Sequence, residues 1–480
     1  MMEIITNFIN GQYIEPSNGK YLDVFEPATG KVYAQVPASG IADVDRGVEA
    51  AQAAFDSWSD TSLINRTAVL NRIAGKLYER LDEMADYESR DTGKPISLAR
   101  SVDIPRAITN FKFFAGYVKS FELESILDDN NSSNRVNRSP LGVVGCISPW
   151  NLPLYLFTWK IAPALAVGNC VIAKPSEITP YTAFKFGEIC QDAGLPPGVL
   201  NIIHGPGDST GDALVTHHKV KAISFTGGTA TGKTIAGKVG RMFKKLSLEM
   251  GGKNPAIIFS DCDYGKMLET VVRSSFSNQG QICLCSSRIL VQSNIMDRFK
   301  TDFIQKVNDL QVGDPIKETT HFGAITSKMQ RDKILDYIQL AEDEGGKILC
   351  GGVSLHLDGR CEDGWFIGPT VIEGLGPLCR TNQEEIFGPV VTLIPFDEES
   401  EAVEISNNTE YGLSATIWTE NPEKANRVAN AVDSGVIWVN CWMVRDLRTP
   451  FGGMKKSGFG REGGDDVLHF FTESKNICIG

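Results

Sequence analysis

Ala222-Ile-Ser-Phe-Thr-Gly-Gly-Thr-Ala-Thr-Gly-Lys-Thr234 reads as a strand that runs into a glycine-rich turn and opens a helix. A short apolar run followed by glycines and a helical pattern is the βα unit of a parallel sheet. The residues before it repeat the theme. Gly142-Val-Val-Gly-Cys-Ile147 is strand-like, and a helical pattern covers Leu154 to Ala166. Cys170-Val-Ile-Ala173 is strand-like again, a helix is expected from Thr182 to Ala193, and Val199-Leu-Asn-Ile-Ile203 follows. This alternation predicts a parallel sheet with helices on both faces. A second α/β series starts at Ala256-Ile-Ile-Phe259 and runs to about Pro450, with strands at Arg288–Gln292, Val390–Phe396 and Gly435–Asn440. The first 120 residues read as two short strands, Phe8–Ile14 and Tyr21–Phe25, followed by amphipathic helices over Val44–Trp58 and Arg66–Arg80.

Composition bounds the rest. A chain of 480 residues with 42% hydrophobic and 22% charged residues is ordinary for a globular protein of several domain-sized units. The net charge of -12 argues against nucleic acid or an anionic membrane as partner, since both need a basic face. The N-terminus shows no secretory signal, and the longest apolar run, Ile161 to Ala173, is too short to span a bilayer. Eleven cysteines without paired spacing read as reduced thiols in a cytoplasmic setting. Cys283 and Cys285 lack the second cysteine pair or nearby histidine that a metal site needs, so none is expected.

Three strings carry chemistry. Ser277-Asn-Gln-Gly-Gln-Ile-Cys-Leu-Cys285 sets Cys283 just after a Gly-Gln turn. Lys245-Leu-Ser-Leu-Glu-Met-Gly-Gly-Lys-Asn-Pro255 ends an apolar segment on Glu249 and turns at once. Ser148-Pro-Trp-Asn-Leu-Pro153 holds the Asn151 amide between prolines. Taken singly, each has a plain reading: an inert buried thiol, a loop charge, a turn residue. Together they supply a nucleophile, a base for water and an oxyanion donor, the parts needed to oxidise an aldehyde through a thioester.

On these strings the whole chain resembles the NAD(P)-dependent aldehyde dehydrogenase superfamily. The resemblance implies an α/β fold with two parallel-sheet Rossmann-type domains and a bridging β element. It divides the chain into a cofactor domain (1–120 and 141–251), a catalytic domain (252–451) and an oligomerisation element (121–140 and 466–480). In the last, the polar stretch Asp128–Asn137 is a hairpin joined by a strand near Ser474–Ile479. The strand-like, edge-forming C-terminal segment predicts a homodimer or homotetramer.

The same resemblance gives the cofactor, NAD, and its contacts. Thr226, Gly227, Gly228 and Gly232 form the turn that brings backbone to the pyrophosphate, with Gly207 nearby. Gly228 stands where many members carry a hydroxyl residue. Lys174 and Glu177 grip the adenosine ribose, and a carboxylate there favours NAD over NADP; by themselves they could be a solvated surface pair. Glu385 binds the nicotinamide ribose, and Phe387 and Trp150 flank the ring, although Trp150 could equally be core. A rival from another class stays open. Gly227–Thr234 matches the P-loop pattern literally, and Ala256-Ile-Ile-Phe-Ser-Asp261 looks like a Walker B strand, so an NTPase is the competing reading. A cysteine hydrolase is a further one, needing a His or Asn partner.

For the substrate, Arg106 in Asp103-Ile-Pro-Arg and Arg445 in Trp442-Met-Val-Arg-Asp-Leu-Arg-Thr-Pro-Phe-Gly-Gly453 stand out. They could be surface arginines paired with Asp103 and Asp446. These strings, with Cys283-Leu-Cys-Ser286, resemble the branch of the family that oxidises muconic semialdehydes, which implies a small aldehyde carrying a carboxylate clamped by both guanidiniums. Amino- and hydroxymuconic substrates are nearly isosteric and are not separated. Betaine aldehyde and retinal stay open as substrates too.

Overall fold

The computed structural model describes residues 2–128 and 132–480. Its first sheet has eight strands in the order Gly458–Phe459, Lys245–Glu249, Val220–Thr226, Val143–Ile147, Cys170–Lys174, Leu200–Ile202, Asn7–Ile9, Gln12–Ile14. The five from Lys245–Glu249 to Leu200–Ile202 are parallel, and the outer strands are antiparallel. Val143–Ile147 and Cys170–Lys174 are buried along their whole length. Burial on both faces is why these strands are continuous apolar runs rather than alternating ones.

The segment Phe8–Ile14, expected as one strand, is a hairpin. Asn10 and Gly11 both adopt left-handed backbone (φ 54° and 71°), and Phe8 pairs with Tyr13 across the turn. An Asn-Gly dipeptide between apolar flanks favours this two-residue turn because both central positions need φ > 0.

The chain lays down Val143–Ile147, then Cys170–Lys174 and Leu200–Ile202 to one side, and returns to place Val220–Thr226 on the other. The reversal opens a crevice at the carboxyl ends of the strands, where doubly wound sheets take ligands. Ser148–Asn151 and Thr226–Gly228 leave the sheet at that crevice.

The second sheet has seven strands: Lys347–Cys350, Thr370–Glu373, Val390–Phe396, Ser286–Gln292, Asn254–Ile258, Ser414–Trp418, Val436–Val439. All are parallel except Lys347–Cys350. Only Met250–Lys253 separate the end of Lys245–Glu249 from the start of Asn254–Ile258. The carboxyl end of one sheet therefore meets the amino end of the other. The expected α/β architecture of two parallel-sheet units is present.

A third sheet joins Glu124–Asp128, Ser133–Pro140 and Thr472–Ile479. The hairpin expected over Asp128–Asn137 and its C-terminal partner strand are thus formed; residues 129–131 of that stretch lie outside the described residues. Among the described residues, no helix is long and apolar enough to cross a membrane.

Candidate active site

The helix Tyr264–Phe276 ends in a turn held left-handed at Asn278 (φ 51°), Gln279 (φ 57°) and Gly280 (φ 69°). A Cβ on Gly280 would lie 2.2 Å from the Gly388 carbonyl oxygen, so only glycine fits. The two non-glycine residues cost of order 1 kcal/mol each and persist only when their surroundings fix them. Their side chains do so. Gln279 Nε2 donates to the Ala324 carbonyl (2.8 Å), and Asn278 Nδ2 donates to the carbonyls of Asn151 (2.9 Å) and Gln281 (3.2 Å). Asn254 Nδ2 then holds the carbonyls of Cys283 (2.7 Å) and Cys285 (2.9 Å). The result is a rigid loop that presents Cys283 to a cavity of about 180 Å³, lined also by Trp150, Asn151, Thr226, Glu385 and Phe387.

Asn151 is buried, and its Nδ2 donates to the Gln281 carbonyl (2.9 Å), which leaves the second N–H of the amide unspent. Glu249, at the end of its strand, is 4% exposed, and its Oε1 has no hydrogen-bond partner among the described residues. Burial, with the nearby Glu462 charge, pushes the Glu249 carboxyl well above the usual carboxylate range. Glu462 is itself held in an ion pair: Lys160 Nζ donates to it (2.6 Å), as does Ser224 Oγ (3.2 Å). Burial and the charges of Glu249 and Glu385 raise the Cys283 thiol. Thiol and carboxylates thus share one electrostatic environment.

A second cavity of about 700 Å³ shares Pro149, Trp150, Thr226, Gly227 and Gly228 with the first and runs to Lys174, Glu177 and Gly207. The two make one trough. Lys174 is buried and its Nζ pairs with Glu177 (3.1 Å), so it is not a solvated surface residue. Gly207 starts a π-helical turn, Gly207–Gly211, at this end. Gly227 and Gly232 are glycines for close packing: a Cβ would meet the Phe225 ring at 2.4 Å and Met250 Sδ at 2.2 Å, whereas Gly228 faces open space. The Thr226 hydroxyl is buried at the turn without a partner among the described residues. At the other end Trp150 and Phe387 meet edge to face at 5.2 Å. Glu385 accepts from the Gly252 N–H (3.0 Å), and burial raises its carboxyl. An elongated trough with a carboxylate at each end and backbone glycines between fits a dinucleotide.

The literal P-loop match does not form a phosphate loop. The helix begins at Thr229, so only Gly227 and Gly228 lie between strand and helix, and Lys233 points outward from the second turn, exposed. Asp261 lies in the turn after Asn254–Ile258, a strand of the other sheet, and binds Thr419 and Lys424. The NTPase reading fails on both counts.

The arginines do not pair as surface residues. Asp103 is held by Lys94 and Asp446 by Arg448. Arg106 and Arg445 instead converge on Tyr155. The Arg106 guanidinium lies 5.4 Å from the ring centroid, and Arg445 Nη1 donates to the hydroxyl (3.4 Å). Arg445 is also stacked over Phe451 (3.9 Å), and its Nη2 is buried with no partner among the described residues.

Sequence reasoning missed the supports: Lys94, Asn254, Lys160, Glu462, and Gln330, which donates to the Ile386 (3.0 Å) and Phe387 (2.8 Å) carbonyls and fixes Phe387 at φ 60°. Nothing in their local strings distinguishes them from surface polar residues. Among the described residues, no group of three or more His, Cys, Asp or Glu side chains could hold a metal ion.

Comparison with known proteins places this geometry. The aldehyde dehydrogenase family matches residues 13–477. A 2-aminomuconic semialdehyde dehydrogenase of Danio rerio is 49% identical over 99% of this chain and 98% of its own length. A 2-hydroxymuconic semialdehyde dehydrogenase of Pseudomonas sp. (strain CF600) is 45% identical, covering 100% of both chains. Among solved structures, the NAD+ complex of an aldehyde dehydrogenase from Bacillus cereus superposes with a TM-score of 0.97 at 34% identity, covering 100% of this chain and 97% of that one. With the family matched over residues 13–477 and relatives this similar over the whole chain, the chain belongs to the aldehyde dehydrogenase family.

Proposed function

We propose that the protein oxidises 2-aminomuconate 6-semialdehyde to 2-aminomuconate through a thioester on Cys283. The observation that carries the substrate is the pair of guanidiniums converging on Tyr155, with one buried N–H group of Arg445 unpartnered among the described residues. A carboxylate is the group that satisfies such a pair, by charge-assisted and partly bidentate hydrogen bonds. The names of the relatives point the same way. A 2-hydroxy group is nearly isosteric with a 2-amino group, so 2-hydroxymuconate 6-semialdehyde is the second reading, favoured by the Pseudomonas relative.

The enzyme is an NAD-dependent aldehyde dehydrogenase. Lys174 and Glu177 would hold the adenosine ribose, Thr226, Gly227, Gly228, Gly232 and Gly207 the pyrophosphate side, and Glu385, Phe387 and Trp150 the nicotinamide end. When bound, NAD supplies the two-electron acceptor that turns a hemithioacetal into a thioester. The chain's own work is the rest. Arg106 and Arg445 hold the substrate's carboxylate and so orient its aldehyde. The Cys283 thiol loses its proton to solvent, the thiolate attacks the aldehyde carbon, and the oxyanion takes the free Asn151 N–H and the Cys283 backbone N–H. Glu249 then removes a proton from water, which hydrolyses the thioester, releases the acid and restores the thiol.

The cofactor-binding segments are 1–120 and 141–251, the catalytic segment 252–451. The oligomerisation element, 121–140 and 466–480, joins subunits of a homodimer or homotetramer in the cytoplasm; the outer strand of its sheet, Thr472–Ile479, leaves an exposed edge.

Steady-state kinetics test the substrate. Arg106→Ala and Arg445→Ala are each expected to lower kcat/KM for muconic semialdehydes by about 10- to 100-fold, the worth of a charged hydrogen bond. Turnover of an uncharged aliphatic aldehyde should fall far less. Equal losses on both would mean that the arginines hold the fold, and wild-type preference for betaine aldehyde or retinal would overturn the assignment.

A further inference from the structure

Lys94 is 0% exposed, as are Glu88 and Asp103. A buried ammonium is costly unless strongly compensated. This one finds its partners on separate elements. Its Nζ donates to Asp103 Oδ2 (2.6 Å) and to the Asn151 backbone carbonyl (3.1 Å), with Glu88 Oε1 at 3.9 Å. Asp103 closes a π-helical turn, Ala99–Asp103, that runs directly into the helix Ile104–Tyr117. Arg106 follows one turn later on the same face. Insertions of this kind re-aim a helix and recur at functional sites.

On the other side, the Asn151 carbonyl also accepts from Asn278, and its side chain donates to Gln281. Lys94 therefore reaches the loop of Cys283 through a single intervening residue. Glu88 completes the cluster by accepting from Thr182 Oγ1 (2.9 Å) and facing the Leu154 N–H. Apolar packing of equal volume stabilises a core as well as a buried ion cluster does, so stability alone does not explain these charges. What they add is a fixed distance between the Arg106 helix and the Asn151 loop.

We propose that Lys94 is a positioning residue whose ammonium sets the arginine that meets the substrate's far end and the amide that meets its aldehyde end in one frame. This rests on the roles of Arg106 and Asn151 in the proposed function. Gripping the carboxylate then presents the carbonyl to Cys283, and losing the tie spoils that presentation for substrates with a tail to grip.

The test uses the full-length enzyme with NAD, a muconic semialdehyde and an uncharged aldehyde. Four forms are compared: wild type, Lys94→Met, Arg106→Ala and the double variant, with melting temperature and NAD affinity measured alongside. Lys94→Met should lower kcat/KM for the carboxylate substrate at least about fivefold more than for the uncharged one. That excess should vanish in the Arg106→Ala background. Equal factors on both aldehydes, or an excess that survives without Arg106, overturn the proposal. Should Lys94→Met fail to fold, Asp103→Asn keeps the shape and an acceptor while weakening only the tie to the helix. It should show the same excess and the same loss of it, and its absence sinks the idea equally. A failure of the substrate assignment reads differently: Arg106→Ala alone would then lower both aldehydes alike, and the frame would fall with it. A discriminating Arg106→Ala without any excess in Lys94→Met removes the frame only.

Discussion

Cys283→Ser should abolish aldehyde-dependent NADH formation, by roughly 10⁴-fold or more, the scale of losing a catalytic nucleophile. NAD binding should remain close to wild type, because the trough is built from other side chains and backbone. The reason is chemical. The thiol is raised by burial and by Glu249 and Glu385, yet it remains far more acidic and nucleophilic than a serine hydroxyl in the same place. The loop that carries it is fixed by Asn254 and by the left-handed turn, so the substitution of one atom should leave the backbone where it is. Stopped-flow absorbance and NAD fluorescence titration read the two quantities separately. Retained turnover in the serine variant would remove the thioester mechanism. A hydrolase would instead need a histidine beside the sulfur, and among the described residues none of the chain's six lines the Cys283 cavity.

Glu249→Gln is expected to give one rapid turnover of NADH and then stall, with acyl-enzyme visible by mass spectrometry. Loss of a positioned base costs about 10²- to 10⁴-fold on the step it serves, and in the proposed mechanism that step is the attack of water. The wild-type pH profile follows from the same residue. As the base of the proposed mechanism Glu249 would work only when ionised, and its folded pKa is raised, chiefly by burial. The acid limb of kcat should thus lie well above the ordinary carboxylate value of about 4.3. The rate should rise with pH through that limb, and the limb should be missing from the glutamine variant. If the burst itself disappears, Glu249 acts before the thioester forms.

The two large sheets are legible in the sequence because parallel strands buried on both faces leave continuous apolar runs separated by helical patterns, as at Val143–Ile147 and Cys170–Lys174. The hairpin at Asn7–Ile14 reads as one strand because its apolar flanks join across a two-residue turn, although Asn10-Gly11 carries the signal. The P-loop pattern misleads for a similar reason. A pattern of residue types does not say how many of them the helix will absorb, and here it absorbs all but two. Cys283, Glu249 and Asn151 sit in distinctive strings, which is what marks them as candidates. Lys94, Glu88, Asp103, Lys160 and Glu462 are not. Their burial is a property of segments far apart in the chain, and a charged residue looks the same in sequence whether it is solvated or enclosed.

Met250–Lys253, the link between the sheets, is short enough to act as a gauge. Four residues span at most about 14 Å, and Gly251 threads the link so closely past the Glu385 carboxylate that an added Cβ would lie 2.0 Å from its oxygen. Glu249 is at one end of that gauge and the strand beside the Cys283 loop is at the other. The link's length therefore limits how far the end of one sheet can stand from the start of the other. A residue inserted into or deleted from this link would shift Glu249 relative to the Cys283 loop before it disturbed the core of either sheet.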